Sequence, residues 1–576
     1  MKEGAGPNEL NGSLSVGSRT FFHLCCGNEP NIPLAYASGY LSPTHSTAMD
    51  DPTKLQRWTW WFVGFGLIAR SIQYLLCAPL WHDELALVDA LLQVESFGEL
   101  GRPLANAQIA PPLFLAVQWW LIHTFGCGEY VVRLVPFTAS IASLLLFHKL
   151  CHRTMPPIVT FIAVGIFAVS GNLIEYAADA KPYAGDVAST LLILLLTHEW
   201  LESGKTRWLL LLTCSTPLIM AFSLPAMFLL GAVAIVGGLI AIKSDWSTRF
   251  AYAAYSSCLL SSFLVLLTTF LNRQSTGTLT FMDQFWEPSF FPWNAPADWP
   301  AWLVSAHTGQ LMAYPIGGGN YASVLTTVAF VIGLFAMWRT SESRSRHLAI
   351  CLLPFALCLI ASAMHRYPYG YLNRTSVFLA PLVIIVAAVG TAAAGGFCMR
   401  RWRAAVHRPL IAYSILLLLI GSLTIVTALA KPSRARRDWQ SRSFARWFWR
   451  DHGRSYPTIC ALTDLQLDMK YTVDYRCHQR RYSSPHKLGP RADIKKLLRP
   501  GTRLRIVFPQ DPRYPSDQLA VWSEIEKKLG KAKVLNRQAF EVNPGDSLLC
   551  PVYHVVDVVI EPNALANLAG RETDTK

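Results

Sequence analysis

Charged side chains are scarce in this chain of 576 residues. Asp, Glu, Lys and Arg make up 15% of it, whereas a soluble domain usually carries about 25%. Hydrophobic residues make up 52% and gather in long runs. A soluble globular protein is therefore excluded, and the composition predicts a polytopic membrane protein with a polar remainder.

Several common functional patterns are also missing. The 13 cysteines include no C-x-x-C pair and no Cys/His zinc spacing, which removes the usual thiol-redox and zinc motifs. Internal repeats are not evident. The formal net charge is +14, but much of the Lys and Arg lies in short loops between apolar runs. That distribution is typical of membrane topology, so we expect membrane lipid and no nucleic acid as a partner.

Eleven apolar runs come close to the roughly 20 residues that a membrane-spanning helix requires. They are 58–80, 131–149, 157–174, 183–201, 208–222, 225–242, 250–271, 321–338, 348–364, 375–397 and 409–430. With the N-terminus inside, most basic residues of the short loops fall on the inner side, as the positive-inside rule predicts. This topology places the C-terminal part outside the cell membrane.

We therefore expect three parts. Residues 1–56 form a disordered cytoplasmic tail (Met49 would also make a sensible start), 57–430 form a transmembrane domain, and 431–576 form a small extracytoplasmic α/β domain. The last part contains β-like runs (TICAL, RLRIVF, HVVDVVIE) and a helical run, DQLAVWSEIEKKLG.

Two outer loops are long. Loop 81–130 contains an apolar segment, 111–125, that is too short to span comfortably. We expect it to be a juxtamembrane helix lying on the outer surface, with Trp119 and Trp120 at headgroup level. Loop 272–320 is rich in Trp, Pro and Gly, which is typical of an aromatic belt.

Two adjacent carboxylates, Asp83 and Glu84, follow the first apolar run. Ionised carboxylates are costly near the apolar layer, so their position at its rim favours proton transfer or cation binding. A simpler interpretation is that Asp83 caps a helix beginning at Glu84, because Asp is a preferred N-cap residue. The two roles can coexist.

Other polar side chains from distant segments fall on the same outer face. They are Gln108, ahead of two prolines, then Glu175, Asp179, Lys181 and Tyr183 in IEYAADAKPYAGDV, and His365, Arg366, Tyr367 and Arg374 in HRYPYGYLNR. A carboxylate could activate a hydroxyl while cations hold a phosphate. The simpler alternatives are a surface ion pair of Asp179 with Lys181, and arginines that reach lipid headgroups.

Four segments in order carry a resemblance to a known family. WHDELALVDALL, QIAPPLFLAVQWWLIHTFG, EYVVRLVPFTASIASLLLFHKL and EYAADAKPYAGDVAST resemble the polyprenyl-phosphate-dependent glycosyltransferases of the GT-C fold. The likeness is strongest to the family-39-like group, which includes protein O-mannosyltransferases and the aminoarabinose transferase of lipid A. The segment YPYGYLNRTSVFLAPLVIIVAAVG resembles their motif before a late span, and the resemblance covers about residues 57–400.

The resemblance implies a sugar donor carried on a polyprenyl phosphate and an acceptor hydroxyl on a lipid, glycan or protein. The reaction would take place on the extracytoplasmic face of the cell (inner) membrane. Asp83 matches the position of the general base, with Glu84 beside it. Asp179 matches the acidic position after the third span, with Glu175 as the other match.

The same resemblance implies that Lys181, Tyr183 and Arg374 hold the donor phosphate. The chain departs from the family in two places. Gln108 opens the Gln-Ile-Ala-Pro-Pro run where many members have Lys ahead of the prolines. Lys181 stands where Arg is common, which keeps the charge but loses the bidentate fork.

Two questions stay open at this point. A divalent cation is compatible with hard oxygen ligands such as Asp179, although nothing in the sequence requires one. A membrane transporter or lipid flippase is the rival function. Transporters place ionisable residues near the membrane midplane, often in repeated halves, whereas this chain concentrates them at one rim.

Overall fold

The computed structural model describes residues 52–105, 107–338, 342–402 and 407–431, and short segments of the C-terminal part (442–444, 447, 458–460, 501, 503–510, 532–540 and 552–560). In chain order the α-helices are α1 Pro52–Leu75, α2 His82–Leu92, α3 Pro112–Phe125, α4 Glu129–Thr154, α5 Pro157–Val169, α6 Gly171–Glu175, α7 Tyr183–Ser203, α8 Thr206–Phe222, α9 Ala226–Ala241, α10 Trp246–Thr269, α11 Thr276–Trp286, α12 Trp299–Thr308, α13 Val324–Trp338, α14 Glu342–Ala363, α15 Asn373–Ser376, α16 Ala380–Trp402 and α17 His407–Ala430.

Every one of the apolar runs predicted above is helical over most of its length. Among the described residues, five helical segments are long and apolar enough to cross a bilayer: Leu134–Thr154, Trp246–Arg273, Arg346–Ala363, Asn373–Met399 and Arg408–Ala430. A sixth is added if the bent pair of α5 and the segment that follows it counts as one span. The chain is thus a helical, multi-pass membrane protein, and the number of about 11 spans stays a prediction.

The first helix lies earlier in the chain than its apolar run predicts. α1 begins at Pro52, within the predicted tail, and ends at Leu75, whereas the apolar run continues to 80. Cys77 then takes a left-handed conformation with φ of 46°. Pro79 follows shortly, and a residue before proline disfavours the helical conformation. The chain therefore continues from α1 to α2 as a short non-helical segment.

The predicted span 157–174 is broken, with a bend of 55° between its two helical parts. Arg70 of α1 is fully buried and explains where the break falls. Its guanidinium donates to the carbonyl oxygens of Ala168 at 3.1 Å and Phe167 at 3.3 Å, and to Ser140 Oγ at 3.0 Å. The last carbonyls of a helix lack intrahelical donors, and a cation near them is favourable. Arg70 therefore stabilises the end of α5.

Helices α13 and α16 cross at two glycines. A Cβ atom on Gly390 would meet the carbonyl oxygen of Ala329, and one on Gly333 would meet that of Val386. Small residues at a crossing let helix backbones approach closely, which is how membrane helices often associate. These two glycines therefore set the distance between α13 and α16.

Helix α3 forms over the segment predicted as a surface helix. Trp120 is 53% exposed, as expected for a residue at the membrane interface. Trp119 differs from the prediction, because its Nε1 donates to the Val94 carbonyl oxygen at 3.0 Å and its ring stacks on His123. Only one of the two tryptophans therefore faces away from the protein.

The described part of the C-terminal region forms a sheet. Its strands are β1 Thr458–Cys460, β2 Arg503–Gln510, β3 Ala532–Phe540 and β4 Val552–Ile560, in the order β1-β2-β4-β3. β1 pairs with β2 in parallel, and the other pairs are antiparallel. The three β-like runs are strands, and β3 was not predicted. The predicted helical run and the tail 1–51 lie outside the described residues.

Candidate active site

Asp83 lies in the first turn of α2 and contacts three side chains from two distant segments. Lys181 Nζ is 3.1 Å from Oδ1, and Arg374 Nη1 is 2.9 Å from Oδ2. The Tyr183 hydroxyl donates to Oδ2 at 3.3 Å. We call these four residues the Asp83 cluster. The structure thus brings together side chains that the sequence only placed on the same face.

Capping does not explain Asp83. Helix α2 begins at His82, so its N-cap residue is Trp81, and the carboxylate that accepts from the Trp81 backbone N–H belongs to Glu84. The expectation that Asp83 is the N-cap residue was therefore wrong. Its carboxylate points instead to the two cations.

The ionisation of Asp83 follows from its neighbours. Burial raises the pKa of this carboxyl, but the positive charges of Lys181 and Arg374 outweigh that effect and bring the pKa below its usual value. Asp83 is therefore ionised at neutral pH. Its two oxygens face cations that could equally hold a phosphate.

Lys181 is held from two sides. Its Nζ donates to Gln108 Oε1 at 2.6 Å in addition to its contact with Asp83. Burial lowers the pKa of Lys181, and the opposing charge of Asp83 only partly offsets this. A second cation in place of Gln108 would repel the ammonium group, whereas the amide oxygen accepts from it. Gln108 therefore positions Lys181.

Aromatic rings enclose the Arg374 guanidinium. Its Cζ lies 4.9 Å from the ring centre of Trp286, 5.5 Å from that of Phe285 and 5.9 Å from that of Trp81. Within the described part of the chain, the buried Nε of Arg374 has no hydrogen-bond partner. A buried donor without a partner is costly, so this N–H is suited to an anionic ligand.

Phe285 and Trp286 of α11 were not predicted as site residues, because loop 272–320 was interpreted as an aromatic belt. Tyr367 supports the same region differently from the prediction. Its hydroxyl donates to the carbonyl oxygen of Thr375 at 2.8 Å, next to Arg374. Tyr367 therefore holds the segment that presents the guanidinium.

Glu84 occupies a different environment from its neighbour. It is fully buried, and Arg133 donates to both of its oxygens, from Nε at 3.0 Å and from Nη2 at 2.8 Å. The backbone N–H groups of Ala180, at 2.7 Å, and Trp81, at 3.1 Å, donate to it as well. Glu84 thus connects α2, α4 and the segment that carries Lys181.

Arg133 is not among the site residues predicted from the sequence. A signal for its role existed, because a lone Arg at the start of an apolar helix is costly without a partner. Its pairing with Glu84 fixes the register of α2 against α4.

Asp179 and Glu175 both line a cavity of about 430 Å³ next to the Asp83 cluster. Its wall also includes two residues at the start of α2 and three from elsewhere in the chain: Trp81, Glu84, Arg133, Asn172 and Lys431. Asp179 is buried, and its carbonyl oxygen accepts from the Lys181 backbone N–H at 2.7 Å. The cavity therefore shares the segment 179–181 with the cluster.

The carboxylates of this cavity are hard oxygen ligands of the kind that Mg²⁺ or Ca²⁺ prefers. Among the described residues, however, a group of three side chains close enough to share one ion occurs elsewhere, at His198, Glu202 and His347. The prediction that Asp179 helps to bind a divalent cation stays untested.

His365 and Arg366 lie away from the cluster. In the described part of the chain, His365 Nδ1 contacts Asp283 Oδ1 at 3.2 Å and its ring stacks on Phe290. The Arg366 side chain is exposed. The structure thus does not bring these two residues to the Asp83 cluster, where the sequence analysis expected ligands of the substrate. The link between His365 and Asp283 instead holds α11, which carries Phe285 and Trp286.

Comparison with known proteins identifies the fold. No protein-family model matches the chain, and no curated protein matches it in sequence. The crystal structure of ArnT from Cupriavidus metallidurans bound to undecaprenyl phosphate is 12% identical, with a TM-score of 0.53 over 86% of this chain and 98% of that chain. ArnT in the apo state, also 12% identical, gives a TM-score of 0.49 over the same shares of the two chains. The oligosaccharyltransferase AglB from Archaeoglobus fulgidus, in complex with an inhibitory peptide and a dolichol-phosphate, gives 0.42 at 10% identity over 84% of this chain and 73% of that chain.

The likeness to undecaprenyl-phosphate-bound ArnT spans nearly all of that protein, so the chain has the GT-C fold that the motifs predicted. At 12% identity the likeness establishes the fold alone. Function depends on the residues of the site rather than on the fold.

Proposed function

We propose that this protein is a glycosyltransferase that moves a sugar from a polyprenyl-phosphate donor to an acceptor hydroxyl on the extracytoplasmic face of the cell membrane. The observation that carries the proposal is the Asp83 carboxylate between Lys181 and Arg374 in a chain with the GT-C fold. The ArnT structure of the same fold is bound to undecaprenyl phosphate, which supports a lipid-phosphate donor here.

The donor phosphate would bind to the cations of the cluster. Lys181 offers an ammonium group, and Arg374 offers the Nε that has no described partner. Charge-assisted hydrogen bonds from such groups to phosphate oxygens are short and strong. The negative charge on the phosphate grows as its bond to the sugar breaks, so the same contacts stabilise the transition state more than the ground state.

Donor binding would also change Asp83. A phosphate that shares Lys181 and Arg374 draws part of their positive charge away from the carboxylate and adds a negative charge nearby. Both effects raise the pKa of Asp83. The residue would therefore become a stronger base when the donor is in place.

The reaction would be a single displacement with inversion. The acceptor oxygen attacks the anomeric carbon, the bond from that carbon to the phosphate oxygen breaks, and the phosphate leaves with the electron pair. Asp83 orients the acceptor hydroxyl and takes its proton. Tyr183 donates to the same carboxylate oxygen as Arg374 and would hold the carboxylate during this transfer.

Glu84 and Asp179 would have other roles than the base. The four hydrogen bonds described for Glu84 come from Arg133 and backbone N–H groups, so we assign it to holding α2, α4 and the segment of Lys181 together. Asp179 lines the adjacent cavity. We assign that cavity to the sugar or acceptor group, because carboxylates and amides are the usual partners of sugar hydroxyls.

The proposal includes a topology. The apolar helices would cross the membrane about 11 times with the N-terminus inside, so that the Asp83 cluster and the sheet of the C-terminal region face outward. The positive-inside distribution of basic residues supports this arrangement.

The decisive experiment follows the lipid-linked sugars of cells that produce the wild-type protein, the Asp83→Asn variant or neither. We expect the wild type to consume one polyprenyl-phosphate sugar and to form a new glycoconjugate, both detected by mass spectrometry. The Asn variant should leave that lipid-linked sugar unconsumed. Identical pools in all three cell lines would contradict the proposal, and a labelled lipid that changes leaflet without losing its sugar would indicate a flippase.

A further inference from the structure

Three potential metal ligands meet at the far ends of α7 and α14. His198 and Glu202 lie four residues apart on α7 and therefore share one face of that helix. His347 lies near the start of α14. Tyr183, at the other end of α7, belongs to the Asp83 cluster, and the 15 residues to His198 correspond to about 22 Å of helix. The group is thus remote from the candidate active site.

The geometry of this group is compact. One potential ligand atom from each side chain lies within 4.8 Å of the other two. His347 Nε2 is 3.9 Å from Glu202 Oε1, and the two imidazole rings have centroids 6.0 Å apart. His198 is buried, whereas the side chains of Glu202 and His347 are 17% and 28% exposed. An ion could therefore enter from the exposed side.

The charges nearby are compatible with a cation. In the described part of the chain, Arg153 is a cation beside His198, and it forms an ion pair with Glu199, the residue that follows His198 on α7. The Glu202 carboxylate faces His347. An added dication would therefore meet one carboxylate and two imidazoles, with the neighbouring guanidinium already neutralised.

We propose that His198, Glu202 and His347 form a zinc site that joins α7 to α14 at the end of the bundle opposite the Asp83 cluster. Two imidazole nitrogens and a carboxylate oxygen are a frequent protein ligand set for Zn²⁺, with a water molecule in the fourth position. Zinc bonds of about 2.1 Å place tetrahedral ligands about 3.4 Å apart. Side-chain rotations that move each ligand atom by about 1 Å would bring the three atoms from within 4.8 Å of one another to that spacing.

The site would act on the packing of the helices. Both α7 and α14 pack against α9, so a metal bridge between them would close a triangle of three helices. A metal that binds only the folded state stabilises it by an amount that grows with the logarithm of the ratio of zinc concentration to dissociation constant. The role is separate from sugar transfer, and it does not depend on the proposed function.

The test uses the full-length protein in detergent after removal of metals with a chelator. The wild type and the His198→Gln/His347→Gln double variant are titrated with zinc chloride, and bound zinc is measured after gel filtration. We expect the wild type to bind one more equivalent of zinc than the double variant does. The dissociation constant of that equivalent should be at least tenfold lower than that of any zinc bound by the double variant. A His123→Gln/His307→Gln variant, which changes two histidines that contact backbone carbonyls, should bind zinc like the wild type.

Equal zinc uptake by the wild type and the His198→Gln/His347→Gln variant would overturn the proposal. If that variant does not fold, Co²⁺ takes the place of zinc and the wild type is compared with Glu202→Gln. The visible spectrum of bound Co²⁺ should then show a tetrahedral or five-coordinate site that changes in the variant. A spectrum that is the same in both proteins, or that matches aqueous Co²⁺, would also overturn it.

Discussion

The guanidinium of Arg374 lies 2.9 Å from a carboxylate oxygen of Asp83, although 291 positions separate the two residues in sequence. The contact closes the candidate site, because it joins α2 to the segment before α16. Lys181 completes it from the end of the third apolar span.

Replacing Asp83 by Asn should abolish transfer while leaving the protein folded. The amide keeps the shape of the side chain but cannot accept the acceptor proton, and loss of a general base typically costs about 10²–10⁴-fold in rate. The measurement is the initial rate of sugar transfer by purified protein. Asp89→Asn, the same change on the same helix, is the control and should transfer at nearly the wild-type rate. A near-wild-type rate in Asp83→Asn would refute the base assignment.

Replacing Lys181 or Arg374 by Ala should weaken binding of the donor phosphate more than binding of the acceptor. Each change removes a cation from the phosphate, and a hydrogen bond to a charged group contributes about 1.5–3 kcal/mol. The dissociation constant of undecaprenyl phosphate in lipid nanodiscs tests this. Arg102→Ala, at an arginine whose side chain is 75% exposed, serves as control. Equal effects on donor and acceptor would indicate a structural role.

Replacing Glu84 by Gln should act on stability rather than on chemistry. The change leaves Arg133 buried with a neutral partner, and breaking a buried ion pair typically costs about 3–5 kcal/mol. The thermal unfolding temperature should therefore drop, while transfer per folded molecule is retained. The reverse result, with unchanged stability and lost transfer, would make Glu84 a catalytic residue.

Binding of undecaprenyl phosphate should weaken at alkaline pH. The pKa of Lys181 is lowered by burial, so this lysine loses its proton below the ordinary lysine pKa of about 10.4. Phosphate affinity should begin to fall at that lower pH, because the neutral amine no longer attracts the anion. Dissociation constants between about pH 7 and pH 10 measure this. In Lys181→Arg the decline should disappear, and the same decline in both proteins would assign it to another group.

Replacing Gly390 by Ala should destabilise the helix crossing. The added Cβ would meet the Ala329 carbonyl oxygen, so α13 and α16 must separate, which typically costs about 1–3 kcal/mol. Gly395→Ala on the same helix is a matched control, because a Cβ there meets nothing within 4 Å. Thermal unfolding in detergent should separate the two variants, and equal stability would show that the crossing tolerates the methyl group.

The sequence was sufficient to predict the helices, because each apolar run is a local property of the chain. It could not predict the break at the end of α5. The run 157–174 is interrupted only by the short segment Ser170, Gly171 and Asn172, and the donor that stabilises the break, Arg70, comes from α1. An arginine within an apolar run predicts that its guanidinium has buried partners, but the sequence does not indicate which helix end supplies them.

Only part of the site could be predicted, because the contacts that distinguish its residues also depend on tertiary packing. Motif order placed Asp83, Lys181 and Arg374 on one face, and the structure brings them into contact. The difference between Asp83 and Glu84 depends on Arg133, which joins Glu84 through tertiary packing alone. His365 and Arg374 lie in the same short segment, HRYPYGYLNR, yet the left-handed φ of 55° at His365 and the loop that follows direct their side chains to different partners.

The contact of the Asp83 carboxylate with two cations determines the net charge of the site during the proposed reaction. Ionised Asp83 with Lys181 and Arg374 leaves one positive charge in excess, which a phosphodiester donor with a single negative charge would neutralise. The leaving polyprenyl phosphate carries a second negative charge, and the proton taken up by Asp83 compensates for it. The cluster would therefore stay neutral from donor to product, and the product would leave readily only after Asp83 has released its proton to solvent.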